Sequence, residues 1–110
     1  MAEWYSEISL EDLKSGIADK SIILVDVREA DEYAQGHIDG ALFVPLSAFD
    51  PGKIPAPAEG QKVVVYCRSG KRSVTAMEQA RLFGRRDVST HFGGGIIGWQ
   101  KAGEPVVTGM

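Results

Sequence analysis

The sequence predicts a three-layer α/β domain with a mostly parallel central sheet flanked by helices. Three short apolar runs carry most of the argument: Ile22 to Val25, Ala41 to Val44 and Val63 to Tyr66. They are nearly continuous rather than alternating and include β-branched residues, which suits strands covered on both faces. Stretches with helical spacing lie between and after them. Strands alternating with helices in a short chain imply a parallel sheet with right-handed crossovers. At 110 residues, the whole span 1–110 reads as a single domain.

The first helix is announced by Ser9, an N-cap residue, with Asp12 three positions on in the place of the usual reciprocal Glu or Gln. Leu10, Leu13 and Ile17 share one face, and Gly16 is expected to mark the fraying end. A second short helix is expected over 29–34, closed by Gly36 in the left-handed conformation. The longest helix runs from about Lys71 to Phe83, with Val74, Met77, Ala80 and Arg81 spaced by three or four and Gly84 as its stop. Pro51, Pro55 and Pro57, with Gly52 and Gly60, predict an irregular surface connection before the third strand. Val88 to Phe92 reads as one more short strand, and Gly93-Gly94-Gly95 turns the chain into a last helix over 96–102.

Composition narrows the functional classes. Hydrophobic residues at 44% and charged residues at 25% are ordinary for a globular chain. A net charge of −3 argues against a broad nucleic-acid surface, which needs concentrated Lys and Arg. The start, Met1 to Tyr5, lacks a basic segment followed by an apolar run, and no stretch approaches the roughly 20 apolar residues that span a bilayer. A cytoplasmic, reducing location and no membrane partner are therefore expected. A single cysteine excludes an intramolecular disulfide, and with two histidines no metal or other cofactor is expected.

That cysteine, Cys67, stands directly after the third strand, in the run Cys67-Arg68-Ser69-Gly70-Lys71-Arg72-Ser73, just where a helix starts. In parallel α/β sheets, sites form at the carboxyl ends of strands. Backbone amides converging in such a loop, backed by a helix N-terminus, bind anions and stabilise a thiolate. Neighbouring basic groups act in the same direction on cysteine reactivity. Arg68, Lys71 and Arg72 also steer an anionic substrate toward an otherwise acidic chain. By residue type alone, Cys67 reads as a small buried hydrophobe ending a strand. Three basic residues and a glycine packed around it favour the reactive reading.

These residues resemble the rhodanese family along nearly the whole chain. Asp26-Val27-Arg28, Glu32-Tyr33, Gly36-His37-Ile38-Asp39-Gly40-Ala41 and Val44-Pro45 look like its N-terminal signature. Cys67, Gly70 and Arg72, followed by Ser73, match its active loop, and Gly94-Gly95 with Trp99 match its C-terminal segment. Phe43 stands where many relatives place asparagine. The resemblance implies a cysteine that accepts the outer sulfur of a donor such as thiosulfate, carries it as a persulfide, and releases it to cyanide or a thiol. Cys67 would be the nucleophile. The amides of Arg68, Ser69, Gly70, Lys71, Arg72 and Ser73 would cradle the terminal sulfur, with Arg68, Lys71 and Arg72 orienting the donor. A sulfur-relay protein is a further expected partner.

The other signature residues read as structural. Asp26 and Arg28 suit an ion pair or cap, His37 a hydrogen bond that holds its turn, and Trp99 a core anchor. His91 reads as a strand-end residue without a partner cluster. The glycines at 93 to 95 lack the following residues of a phosphate loop, so their position argues for tight packing. Two rival functions remain. One is a non-catalytic, partner-docking module of the same fold, in which the cysteine is commonly absent. The other is a cysteine phosphatase, whose loop carries arginine six places after the cysteine, where this chain has Ser73. A shorter amide ring suits a sulfur better than a tetrahedral phosphate. With little chain to spare for a lid, the pocket is expected to be shallow and open.

Overall fold

The computed structural model describes residues 4–109. Met1 to Glu3, part of the start considered above, and Met110 lie outside the described residues. Among the described residues, five strands form one parallel sheet in the order β1-β5-β4-β2-β3. They are β1 (Ser6–Glu7), β2 (Ile22–Asp26), β3 (Leu42–Phe43), β4 (Lys62–Tyr66) and β5 (Thr90–His91). They are accompanied by the helices α1 (Leu10–Ala18), α2 (Ala30–Gln35), α3 (Lys71–Leu82) and α4 (Gly95–Lys101). Among the described residues, no helix is long and apolar enough to cross a membrane.

The apolar runs Ile22 to Val25 and Val63 to Tyr66 become the centre of the sheet because both of their faces find cover. Strand β4 lies between β2 and β5, and its period-2 alternation divides the core in two. Val63, Val65 and Cys67 pack with Ala76, Met77 and Ala80 of α3, together with Val25 and Val27. Val64 and Tyr66 point the other way, to Leu13 of α1, Ile96 and Trp99 of α4, and Ile38. Layering of helices on both sides of a parallel sheet is thus set by one strand.

Several local expectations are corrected. The Ala41 to Val44 run is a two-residue edge strand with Leu42 exposed, because only β2 pairs with it. Gly16 does not end α1. It is buried within the helix, where a Cβ would collide with the Ile22 side chain, so its smallness lets α1 sit against β2. Ser9 caps α1 by accepting from the Asp12 amide at 3.1 Å. Gly36 closes α2 in extended backbone, φ 168°, rather than the left-handed region. Gly84 follows α3 at φ 94°, as its pattern implied.

The proline-rich connection contains two single turns of 3₁₀ helix, Leu46–Ala48 and Pro51–Lys53. It is not wholly a surface feature: Ile54 is buried in the α3-side core. Arg85, just past α3, donates to the carbonyls of Pro51 and Ile54 at 2.8 and 2.7 Å and ties this connection down. Strand β1, absent from the sequence pattern, pairs with β5 through Ser6 and Glu7.

Candidate active site

Strand β4 ends at Tyr66, α3 starts at Lys71, and the intervening residues turn tightly around the Cys67 thiol. The amide of Gly70 donates to Sγ at 3.1 Å and that of Ser73 at 3.3 Å. Of the expected ring of amides, these two reach the sulfur directly. Cys67 is 1% exposed, so the thiol lies under its loop rather than at the floor of a shallow, open pocket.

Gly70 makes the turn possible. Its φ of 98° lies in the left-handed region, and a Cβ there would come within 2.6 Å of the Gly93 carbonyl oxygen. Gly95 is packed as tightly from the other side: its φ is 62°, and a Cβ would run into the backbone of Cys67 and Arg68. That close approach lets Ile96 and Ile97 of α4 give their amides to the Cys67 and Arg68 carbonyls at 2.9 and 3.3 Å. The triple glycine therefore serves packing, as its position implied. The start of α4 braces the first two residues of the cysteine loop.

The three basic side chains of the loop separate into two kinds. Arg72 makes a bidentate pair with Glu32 of α2, at 2.7 and 2.9 Å. That hydrogen-bonded pairing holds the Glu32 carboxyl down at about 2, well below the ordinary value of 4.5. Arg68 and Lys71 are exposed, and among the described residues neither forms an ion pair. Ser69 is exposed as well. A cleft of about 310 Å³ opens beside the loop, lined by Arg68, Arg28, Glu32, Gln35, Ile96 and Ile97 among others. Charge and an apolar wall thus meet next to the cysteine turn.

Around this core lie the residues expected to be structural. Asp26 is fully buried at the end of β2 and receives Nη2 of Arg28 at 2.8 Å, the Arg28 amide at 2.9 Å and its Nε at 3.1 Å. Arg28 also gives Nη2 to the Gly36 carbonyl at 2.7 Å, so the pair closes α2 onto the sheet. His37 bonds through Nδ1 to the Tyr33 carbonyl at 2.8 Å and stacks on the Tyr33 ring at 3.7 Å. Phe43 also packs against that ring, with centroids 4.9 Å apart. Trp99 is a core anchor whose Nε1 donates to Pro105 at 2.7 Å.

His91 differs from its expected role. Rather than standing alone at a strand end, it meets the Ser73 hydroxyl through Nδ1 at 2.8 Å, and Ser73 in turn contacts both the cysteine and Gly70. Residues 18 apart in the chain make this link, and no local spacing signals it. Only the pairing of β5 beside β4 brings them together.

Comparison with known proteins agrees with this arrangement. The sequence profile of the Rhodanese-like domain matches residues 9–102, which include the cysteine loop, the Asp26–Arg28 pair and the start of α4. The chain belongs to the rhodanese-like family. A sulfurtransferase of Allochromatium vinosum is 38% identical over 103 residues, covering 93% of this chain and 94% of that protein. An uncharacterized Synechocystis protein is 42% identical over 87 residues, 79% of this chain, and the match spans about half of that longer protein (48%). Among rhodanese-like structures, a rhodanese-related protein of Thermoplasma volcanium superposes with a TM-score of 0.75 at 32% identity, covering 94% of this chain and 98% of that one. The human single-domain sulfurtransferase TSTD1 superposes with a TM-score of 0.70 at 29% identity, over 86% of this chain and 95% of that one. This rhodanese-like domain therefore has sulfurtransferases of its own length among its relatives.

Proposed function

We propose that this rhodanese-like chain works as one sulfurtransferase domain in which Cys67 carries a sulfane sulfur between a small anionic donor and a thiol or cyanide acceptor. The observation that supports it most is the pair of backbone amides, Gly70 and Ser73, aimed at Sγ at the carboxyl end of the central strand. Fixed N–H donors aimed at a reacting sulfur stabilise the negative charge that it carries during transfer.

With thiosulfate as donor, the Cys67 thiolate attacks the outer sulfur. A new S–S bond forms, the S–S bond of thiosulfate breaks, and sulfite leaves with the electron pair. Cyanide or a thiolate then attacks the terminal sulfur of the persulfide, giving thiocyanate or a new persulfide and restoring the Cys67 thiolate. Covalent catalysis of this kind divides one displacement into two easier ones. No cofactor or metal enters either step.

Arg68 and Lys71, exposed and without ion-pair partners among the described residues, are the cations that draw the donor in. Arg72 adds its charge from the position where Glu32 holds it, and the remaining amides of the loop take the terminal sulfur. A free cysteine suits a reducing compartment such as the cytoplasm. One relative is named thiosulfate:glutathione sulfurtransferase, from Saccharomyces cerevisiae, and another putative sulfur carrier protein, from Bacillus subtilis. Both names fit a thiol acceptor or a sulfur-relay partner here.

The test is sulfur loading. Thiosulfate is expected to add one sulfur atom's mass to the reduced protein at Cys67, reversibly with a thiol, and Cys67→Ser is expected to stay unloaded. A protein that remains unloaded with thiosulfate and with a persulfide donor is a docking module instead.

A further inference from the structure

The cysteine loop is tied to the sheet by a side chain that the transfer chemistry does not itself require. His91 is 5% exposed and Ser73 is fully buried, and their side chains meet at 2.8 Å between Nδ1 and Oγ. The Ser73 hydroxyl has one proton, and it lies 3.1 Å from the Gly70 carbonyl oxygen, which only accepts. Both contacts are hydrogen bonds together when Ser73 donates to Gly70 and His91 donates from Nδ1 to Ser73. The chain of donors then runs from His91 to Ser73 to Gly70.

Its end point is specific. Gly70 and Ser73 are the two residues whose amides reach Cys67 Sγ, at 3.1 and 3.3 Å. One hydroxyl therefore ties together both residues that hold the sulfur. His91 fixes the rotor of that hydroxyl, and the sheet fixes His91. Its carbonyl accepts from Ile8 at 2.9 Å, its Cα is in register with Val65 of β4, and its ring meets Tyr5 edge-on at 5.3 Å. Burial lowers the His91 pKa below its ordinary 6.5, which favours the neutral ring.

We infer that His91 is a positioning residue for the Cys67 loop, acting through the Ser73 hydroxyl on the two amides that hold the sulfur. It touches neither donor nor acceptor. The inference rests on the reading of Cys67 as the sulfur carrier.

The experiment compares His91→Leu, His91→Asn, Ser73→Ala and the His91→Leu/Ser73→Ala double variant. For each, two rates are measured at pH 7 per folded molecule: transfer from thiosulfate to cyanide, and alkylation of Cys67 by iodoacetamide. Asn places its amide nitrogen where Nδ1 stands, whereas Leu keeps a similar volume without a donor. His91→Leu and Ser73→Ala are each expected to lose about ten-fold in both rates, the scale of one hydrogen bond. His91→Asn is expected to restore the wild-type rates, and the double variant to be no slower than Ser73→Ala alone. Additive losses, or wild-type rates in folded His91→Leu, overturn the inference. If His91→Leu does not fold, Ser73→Ala decides: wild-type rates there remove the link and the inference with it. Alkylation separates the two readings. A wild type that transfers no sulfur, yet shows the expected alkylation differences, sinks the sulfurtransferase proposal and leaves the positioning role intact.

Discussion

Arg72 of the cysteine loop and Glu32 of α2 form a two-pronged ion pair, with guanidinium nitrogens 2.7 and 2.9 Å from the two carboxylate oxygens. The residue that the family pattern presents as a donor-orienting cation is thus also a strut between the loop and its neighbouring helix. The consequence is a division of labour, with Arg72 holding the loop to α2 and Arg68 and Lys71 facing solvent.

Removing the strut should show in acid. The Glu32 pKa is lowered to about 2 in the fold from 4.5, so the pair's stabilisation is fully present above pH 4.5 and is lost as pH falls toward 2. Its side chains are 27% and 32% exposed, so water screens the pair and Glu32→Gln is expected to cost about 1 kcal/mol at pH 7. Urea unfolding across pH 2 to 7 checks this: the wild type and the variant should converge in stability at the acid end.

The free cations should act on donor affinity. Arg68→Ala is expected to raise the KM for thiosulfate by about ten-fold, the scale of a charge-assisted hydrogen bond, and to leave kcat much less changed. Arg72→Ala is expected to weaken transfer as well and, unlike Arg68→Ala, to lower stability by about 1 kcal/mol. Steady-state kinetics alongside urea unfolding distinguishes the two.

Close backbone packing behind the loop makes Gly95 intolerant. An added Cβ meets the carbonyl carbon and oxygen of Arg68 and the oxygen of Cys67, at a φ of 62°. Backbone atoms cannot swing aside as a flexible side chain does, so Gly95→Ala is expected to destabilise by about 2 to 3 kcal/mol. Thermal unfolding of this variant beside Gly103→Ala, where a Cβ meets nothing within 4 Å, controls for backbone conformation alone.

The buried Asp26–Arg28 pair should be costly to break from one side. Asp26→Asn leaves Arg28, 4% exposed, without its counter-charge, and a loss of about 3 to 5 kcal/mol is expected. Denaturant unfolding measures it, and a loss below about 1 kcal/mol would mean that Arg28 finds another partner or water.

Much of this architecture is legible in the sequence because it depends on local pattern. The continuous apolar runs around Ile22 and Val63 become β2 and β4, since strands at the centre of a parallel sheet need apolar side chains on both faces. The cysteine loop is legible for a related reason: a strand end, a glycine and a helix start are adjacent in the chain. Features made by long-range pairing are not. Ser6 and Glu7 are polar and exposed, and only β5 makes a strand of them. Gly16 reads as a helix end because its close contact with Ile22 is invisible before α1 packs on β2. His91 reads as isolated for the same reason, because its partner Ser73 is supplied by the fold and not by spacing.

The most direct test of the central claim is intact-mass spectrometry of the reduced protein before and after thiosulfate, with Cys67→Ser alongside. A gain of one sulfur atom that a thiol removes, and that the variant lacks, is the result expected of a persulfide carrier. A wild-type mass unchanged by thiosulfate and by a persulfide donor, with Cys67 reduced and the protein folded, would contradict it.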